Sequence, residues 1–127
     1  MVSYQSDSFN LFIAAQEDMR SSMHLLRDSE KIEKKDCVNN DLEVFYECSP
    51  GIRHGLYRRY NIFGTNIYAC TYYYGRREGI AVEYYPNGKI MVKCNFKNGK
   101  LDGPVSMYDM SGSIIKTLNY INGLCIN

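Results

Sequence analysis

The 127-residue sequence has no tryptophan, two histidines, no Cys-x-x-Cys pair and no apolar run of membrane-spanning length. Each shortage narrows the chemistry. A transmembrane helix needs about 18 or more consecutive apolar residues, so none is expected. The opening MVSYQSDSFNLFIAAQEDMR has neither a basic start nor a clean apolar stretch, so no secretory leader is read there. Cys37, Cys48, Cys70, Cys94 and Cys125 are odd in number and their spacings match no structural zinc pattern. They suit reduced thiols in a cytoplasmic or otherwise intracellular compartment better than a disulfide framework. With only His24 and His54, no elbow motif and no third orienting group, no catalytic dyad is visible. No cofactor is implied either, because the glycines recur as turn residues and never open a phosphate-cradling helix.

What is abundant is tyrosine, twelve in all, and glycine in a fixed rhythm. Gly55, Gly79 and Gly103 are 24 residues apart, as are Gly64, Gly88 and Gly112, and Gly51, Gly75, Gly99 and Gly123. Tyr60, Tyr84 and Tyr108 keep the same period, as do Tyr72, Phe96 and Tyr120. Such self-similarity is the mark of a repeat architecture. Within a unit the pattern is strand, tight turn, strand, tight turn. PNGK and KNGK both read as type I′ hairpin turns, because Asn and Gly tolerate positive φ. Strand alternation places Ile90, Val92, Cys94 and Phe96 on one buried face, with Tyr68, Cys70 and Tyr72 and then Ile114, Leu118 and Tyr120 beside them. Leu42, Val44 and Tyr46 extend that face as a half-unit. Cys70 and Cys94 share a column, but positions two strands apart are about 9.6 Å distant, beyond disulfide reach, so both read as core residues.

At these columns residues 55–127 resemble the MORN repeat family, particularly the shortened variant known from YwqK-type antitoxin proteins. The resemblance implies a fold of stacked β-hairpins. It also implies a binding role, antitoxin among them, and the family occurs in bacteria, eukaryotes and large DNA viruses.

Residues 7–28 place Phe12, Ala15, Met19, Met23 and Leu26 at spacings of three and four, the stripe of an amphipathic helix. Its simplest task is to cover sheet surface, with insertion into a partner's groove as the other reading. The charged stretch RDSEKIEKKDCVNND reads as a solvated helix end or linker. Residues 1–41 hold five basic and eight acidic residues, and residues 42–127 ten and six. The fold class is therefore α+β, mainly β. An N-terminal helix and charged linker (1–41) precede a single curved antiparallel meander of about seven strands, made of a half-unit (42–54) and repeats 55–78, 79–102 and 103–127.

Arg58, Arg59, Arg76 and Arg77 gather in the first full repeat beside Tyr57 and Tyr73, and later units replace them with Val82, Glu83, Lys100 and Leu101. Guanidinium planes among aromatic rings can grip acidic or phosphate groups, and these six residues are the candidate partner-binding set. The plain alternative is a solvated face with Arg lying over Tyr. Function reads as non-catalytic binding: a protein-protein interaction or scaffold module, within a larger assembly such as a virion, or an antitoxin neutralising a toxin. A peripheral module on anionic phospholipid is the third reading, and self-association through the sheet ends is a further route. The net charge of +1 is too small to imply nucleic acid by itself.

Overall fold

The structure, a computed structural model, describes residues 30–36 and 38–127. The expected helix through Phe12 and Met19 lies outside those residues, as do His24 and Cys37. What is described is one antiparallel meander. Eight strands of six or eight residues carry it: β1 (Glu30–Lys35), β2 (Leu42–Ser49), β4 (Gly55–Tyr60), β5 (Asn66–Tyr73), β7 (Gly79–Tyr84), β8 (Ile90–Lys97), β10 (Gly103–Tyr108) and β11 (Ile114–Ile121). Two-residue arms β3 (Ile52–Arg53), β6 (Arg76–Arg77), β9 (Lys100–Leu101) and β12 (Leu124–Cys125) finish the hairpins.

The seven long strands expected after residue 42 are present, but the sheet starts earlier. Glu30–Lys35, expected to be solvated linker, pairs with β2 over its whole length. Ile32 lies opposite Phe45 and packs against the core, while the Lys and Glu residues around it are exposed. Among the described residues this is an edge strand, and one bristling with charge is protected from pairing with other chains, which is how this polar stretch serves as a strand.

The two Asn-Gly pairs make different turns. Asn98 and Gly99 both have positive φ (53° and 81°), the type I′ geometry expected of KNGK. In PNGK only Gly88 does (87°), and the loop is closed by Tyr85 N–H to Lys89 O (2.7 Å) and Gly88 N–H to Tyr85 O (2.8 Å). That is the three-residue hairpin with a glycine bulge, and it corrects the type I′ reading there. Asn61–Thr65 and Asp109–Ser113 close by the same pair of backbone bonds.

A second bulge, just inside each hairpin, shifts the faces. Glu83 lies opposite Val92 but Tyr84 lies opposite Ile90, so Met91 is an extra residue; Ile67 and Ile115 are its counterparts. Ile90 therefore leaves the face of Val92, Cys94 and Phe96 and joins Ala69 and Val82 on the other, and Ile114 leaves that of Leu118 and Tyr120. The half-unit differs too. The later pattern would set Cys48 opposite Arg53, yet Glu47 takes that place while Ser49 still faces Ile52. Cys48 is the odd residue, and a one-residue slip flips every side chain. Phe45, not Val44 or Tyr46, thus meets Tyr57, with ring centroids 5.9 Å apart.

Both faces of the sheet carry a core. The first face holds Phe45, Tyr57, Cys70, Ala81 and Phe96, and the second holds Ala69, Val82 and Ile90. Cys70 and Cys94 are free thiols, and burial is the main force raising both pKa values, that of Cys70 to about 11. At that value the Cys70 thiol stays protonated at neutral pH and behaves as a core residue.

Candidate functional site

Each repeat ends in a type I′ turn that donates to the unit before it. Gly75, Gly99 and Gly123 N–H bond to the carbonyls of Arg53, Arg77 and Leu101 at 2.7, 2.9 and 2.8 Å. The next residue in each unit supplies a side-chain acceptor to the same neighbouring turn: His54 Nδ1 for Tyr74 N–H (2.9 Å), Glu78 Oε1 for Asn98 N–H (2.8 Å) and Asp102 Oδ1 for Asn122 N–H (3.2 Å). These contacts hold the arms β3, β6 and β9 in a stack, so the residues before the clamps, Arg53 and Arg77, come up on the first face in equivalent places.

The structure divides the candidate arginines. Arg58 and Arg59 are neighbours in sequence and point to opposite faces, as strand alternation requires. Arg58 lies on the second face, in a depression lined by Lys31, Glu33, Val44, Tyr46, Leu56 and Tyr60. Arg59 lies on the first face, ringed by Asp36 (3.6 Å), Asp41 (3.3 Å) and Glu43 (3.6 Å). Tyr57 is buried beside it and donates its hydroxyl to Glu43 at 2.5 Å. Burial, then that hydrogen bond, pushes the Tyr57 phenol up to about 12. Arg59 is thereby occupied in locking β2 onto β4. Arg76 is exposed and lies over the next turn, where a side chain at Gly99 would meet its Cβ at 3.7 Å. Tyr73 is half-exposed on the second face and packs edge-on to Tyr74 at 4.8 Å.

Arg77 is different. Its guanidinium lies 4.2 Å from the Phe96 ring centroid and donates to the Tyr68 hydroxyl at 3.3 Å. Unlike Arg59, it has no ion pair among the described residues. It borders a groove of about 190 Å³ lined by Tyr68, Ala81, Glu83, Val92, Cys94 and Phe96. One unit earlier, Arg53 spreads over Phe45, Tyr57 and Tyr72, 4.6, 5.1 and 5.5 Å from their centroids, with Glu43 3.8 Å away. Guanidinium planes stacked on rings gain about 0.5–1 kcal/mol each at partly exposed sites and are held flat against the sheet. Arg53 and His54 lie outside the candidate set that the sequence offers. The 24-residue register carries the signal that finds them, since Arg53 aligns with Arg77 and His54 with Glu78 and Asp102.

Residues 77–98 match the MORN repeat variant family. The matched segment runs from Arg77, through β7, the glycine-bulge turn and β8, to Asn98 of the next turn. No curated protein matches the chain in sequence. Among the described residues no helix is long and apolar enough to cross a membrane, and no three His, Cys, Asp or Glu side chains are grouped to hold a metal.

Proposed function

We propose that the chain is a non-catalytic protein-binding module whose first face, at the end bearing Arg53 and Arg77, receives an acidic group of a partner protein. One observation carries this reading: Arg77 keeps its charge without a carboxylate partner among the described residues, while Phe96 and Tyr68 hold it at the rim of an open groove. Arg59 needs no outside anion, because three carboxylates surround it. A repeat of the matched kind also suits a protein- or membrane-binding module. The scaffold, virion-component and antitoxin readings are all forms of this proposal and differ in the partner. The membrane reading has one observation of its own. Val38, Ile62 and Phe63 are 88, 64 and 84% exposed at neighbouring turns on one long edge of the sheet. Against it, Asp36 lies in the same turn as Val38, a charge that resists insertion.

The test is affinity capture from the native source with the whole chain as bait, at low and at physiological salt. The double variant Arg53→Gln/Arg77→Gln should lose the captured protein while staying folded, its melting temperature lowered by only the few degrees that the lost ring stacking accounts for. Retention of the partner by that variant at both salt concentrations contradicts the reading, and flotation with anionic liposomes instead would move the assignment to the membrane.

A further inference from the structure

We propose that His54 is a proton-operated latch on the Tyr73–Arg76 turn, closed while the imidazole is neutral and released when it gains a proton. The latch does not depend on the partner reading.

The His54 side chain has no exposed surface. Its Nδ1 sits 2.9 Å from the backbone nitrogen of Tyr74, which can only donate, so Nδ1 must be the bare nitrogen and the ring proton must sit on Nε2. Nε2 is itself buried with no hydrogen-bond partner, and the Tyr73 and Tyr74 ring centroids lie 5.2 and 4.3 Å from that of His54. The residue being held is under strain. Tyr74 has φ 47°, a left-handed conformation that disfavours bulky residues, and the later turns place Asn98 and Asn122 there. In those turns the acceptors are the side-chain carboxylates of Glu78 and Asp102, not an imidazole. Only the first turn depends on a group that titrates near neutrality.

A second proton on this ring must go to Nδ1, where it would point at the Tyr74 N–H. The hydrogen bond becomes donor against donor, and a charge appears where no water reaches. The groups around the ring do not offset it. Tyr46, Glu47 and Cys48 lie on β2, Arg53 and Arg76 on the neighbouring arms, and Tyr73 and Tyr74 against the ring; Arg53 carries its own charge over to Phe45 on the other face. Burial holds the His54 pKa below its ordinary value of 6.5, with no charge interaction contributing. The neutral ring thus supports the turn fully above about pH 6.5, and that support is lost as pH falls through the lower folded value. Release would reach further than the turn. Gly75 N–H bonds to Arg53 O at 2.7 Å, so a loosened turn frees the arm that carries the Arg53 guanidinium.

The full chain, labelled with ¹⁵N, gives the test by amide exchange and imidazole nitrogen spectra. Between about pH 7.5 and 5, the protection factor of the Tyr74 amide should fall at least tenfold relative to those of Asn98 and Asn122. At the higher pH the His54 proton should be found on Nε2. His54→Gln, whose amide oxygen accepts without titrating in this range, should make Tyr74 protection independent of pH. Parallel behaviour of Tyr74, Asn98 and Asn122 across the range overturns the latch, as does a proton on Nδ1 at the higher pH. Both of these read the native chain, so the outcome stands even where the glutamine variant folds poorly.

Discussion

Strands β5 and β11 occupy the same place in their repeats, yet one is core and the other is surface. Ala69, Cys70 and Thr71 of β5 are buried, while their counterparts Thr117 and Asn119 are exposed and Leu118 is half-buried. Ile90 and Ile114 make the contrast within one residue type, at 1% and 60% exposure. The backbone in the two regions is nearly the same, with bulges at matching positions. The difference lies in the neighbours. β5 has long strands β4 and β7 on its two sides, whereas β11 has β10 on one side and only the two-residue β12 on the other. In a stacked sheet the repeat column sets conformation, and the place in the stack sets how much each side chain contributes.

Substitution at matched columns should expose this difference, most of all at the two isoleucines. Ile90→Ala should cost about 2–5 kcal/mol, since it empties a filled site, while Ile114→Ala should stay within about 0.5 kcal/mol. Urea denaturation midpoints of the two variants check it, and equal shifts would show that place in the stack does not govern stability.

A smaller effect is expected from the ion-pair network that ties Arg59 of the first repeat to Asp36, Asp41 and Glu43, and that has no counterpart in the third repeat among the described residues. Glu43→Ala removes the shared acceptor of Tyr57 and Arg59 and should cost about 1–3 kcal/mol. Lys116→Ala, on the same face in β11 and exposed, should change little. The same network has a pH signature. The Tyr57 phenol is raised to about 12, so its stabilising effect is complete below about pH 10 and is lost as pH rises through the folded value. Absorbance titration of Glu43→Ala should show this tyrosine ionising at lower pH than in the parent, though still late, because burial is the larger cause.

The smallest expected change compares the turns. Asn98→Tyr copies the residue at Tyr74 without a histidine beside it, and should destabilise by about 1 kcal/mol through left-handed strain. A neutral result, measured by thermal melting, would mean that Tyr74 needs no help from His54.

Much of the fold is legible from glycine alone. All ten glycines have positive φ, so the columns they form in the sequence are the turns and strand breaks of the structure. The row through Tyr72, Phe96 and Tyr120 follows from alternation, as does that through Cys70, Cys94 and Leu118. What alternation misses is the single extra residue. Met91 in the strand beyond the turn and Cys48 in the half-unit each break the period of two, and nothing in their chemistry announces it. The strand at Glu30–Lys35 is hidden for another reason: an edge strand with one inward-facing Ile32 looks like a linker in composition. The candidate arginines were recognisable as a set but not as a surface. Sequence neighbours in a strand face opposite ways, so Arg58 and Arg59 cannot serve one flat site, while Arg53 and Arg77, 24 residues apart, come up on the same face.

That division of faces supplies the most direct test of the binding proposal. The dissociation constant of the captured partner should be measured for the parent chain and for two double variants of equal charge change, Arg53→Gln/Arg77→Gln on the first face and Arg58→Gln/Arg76→Gln on the second. The account predicts a loss of at least tenfold, or about 1.4 kcal/mol, for the first pair and a change within about twofold for the second. Equal losses for both pairs, or a loss confined to the second, would contradict it.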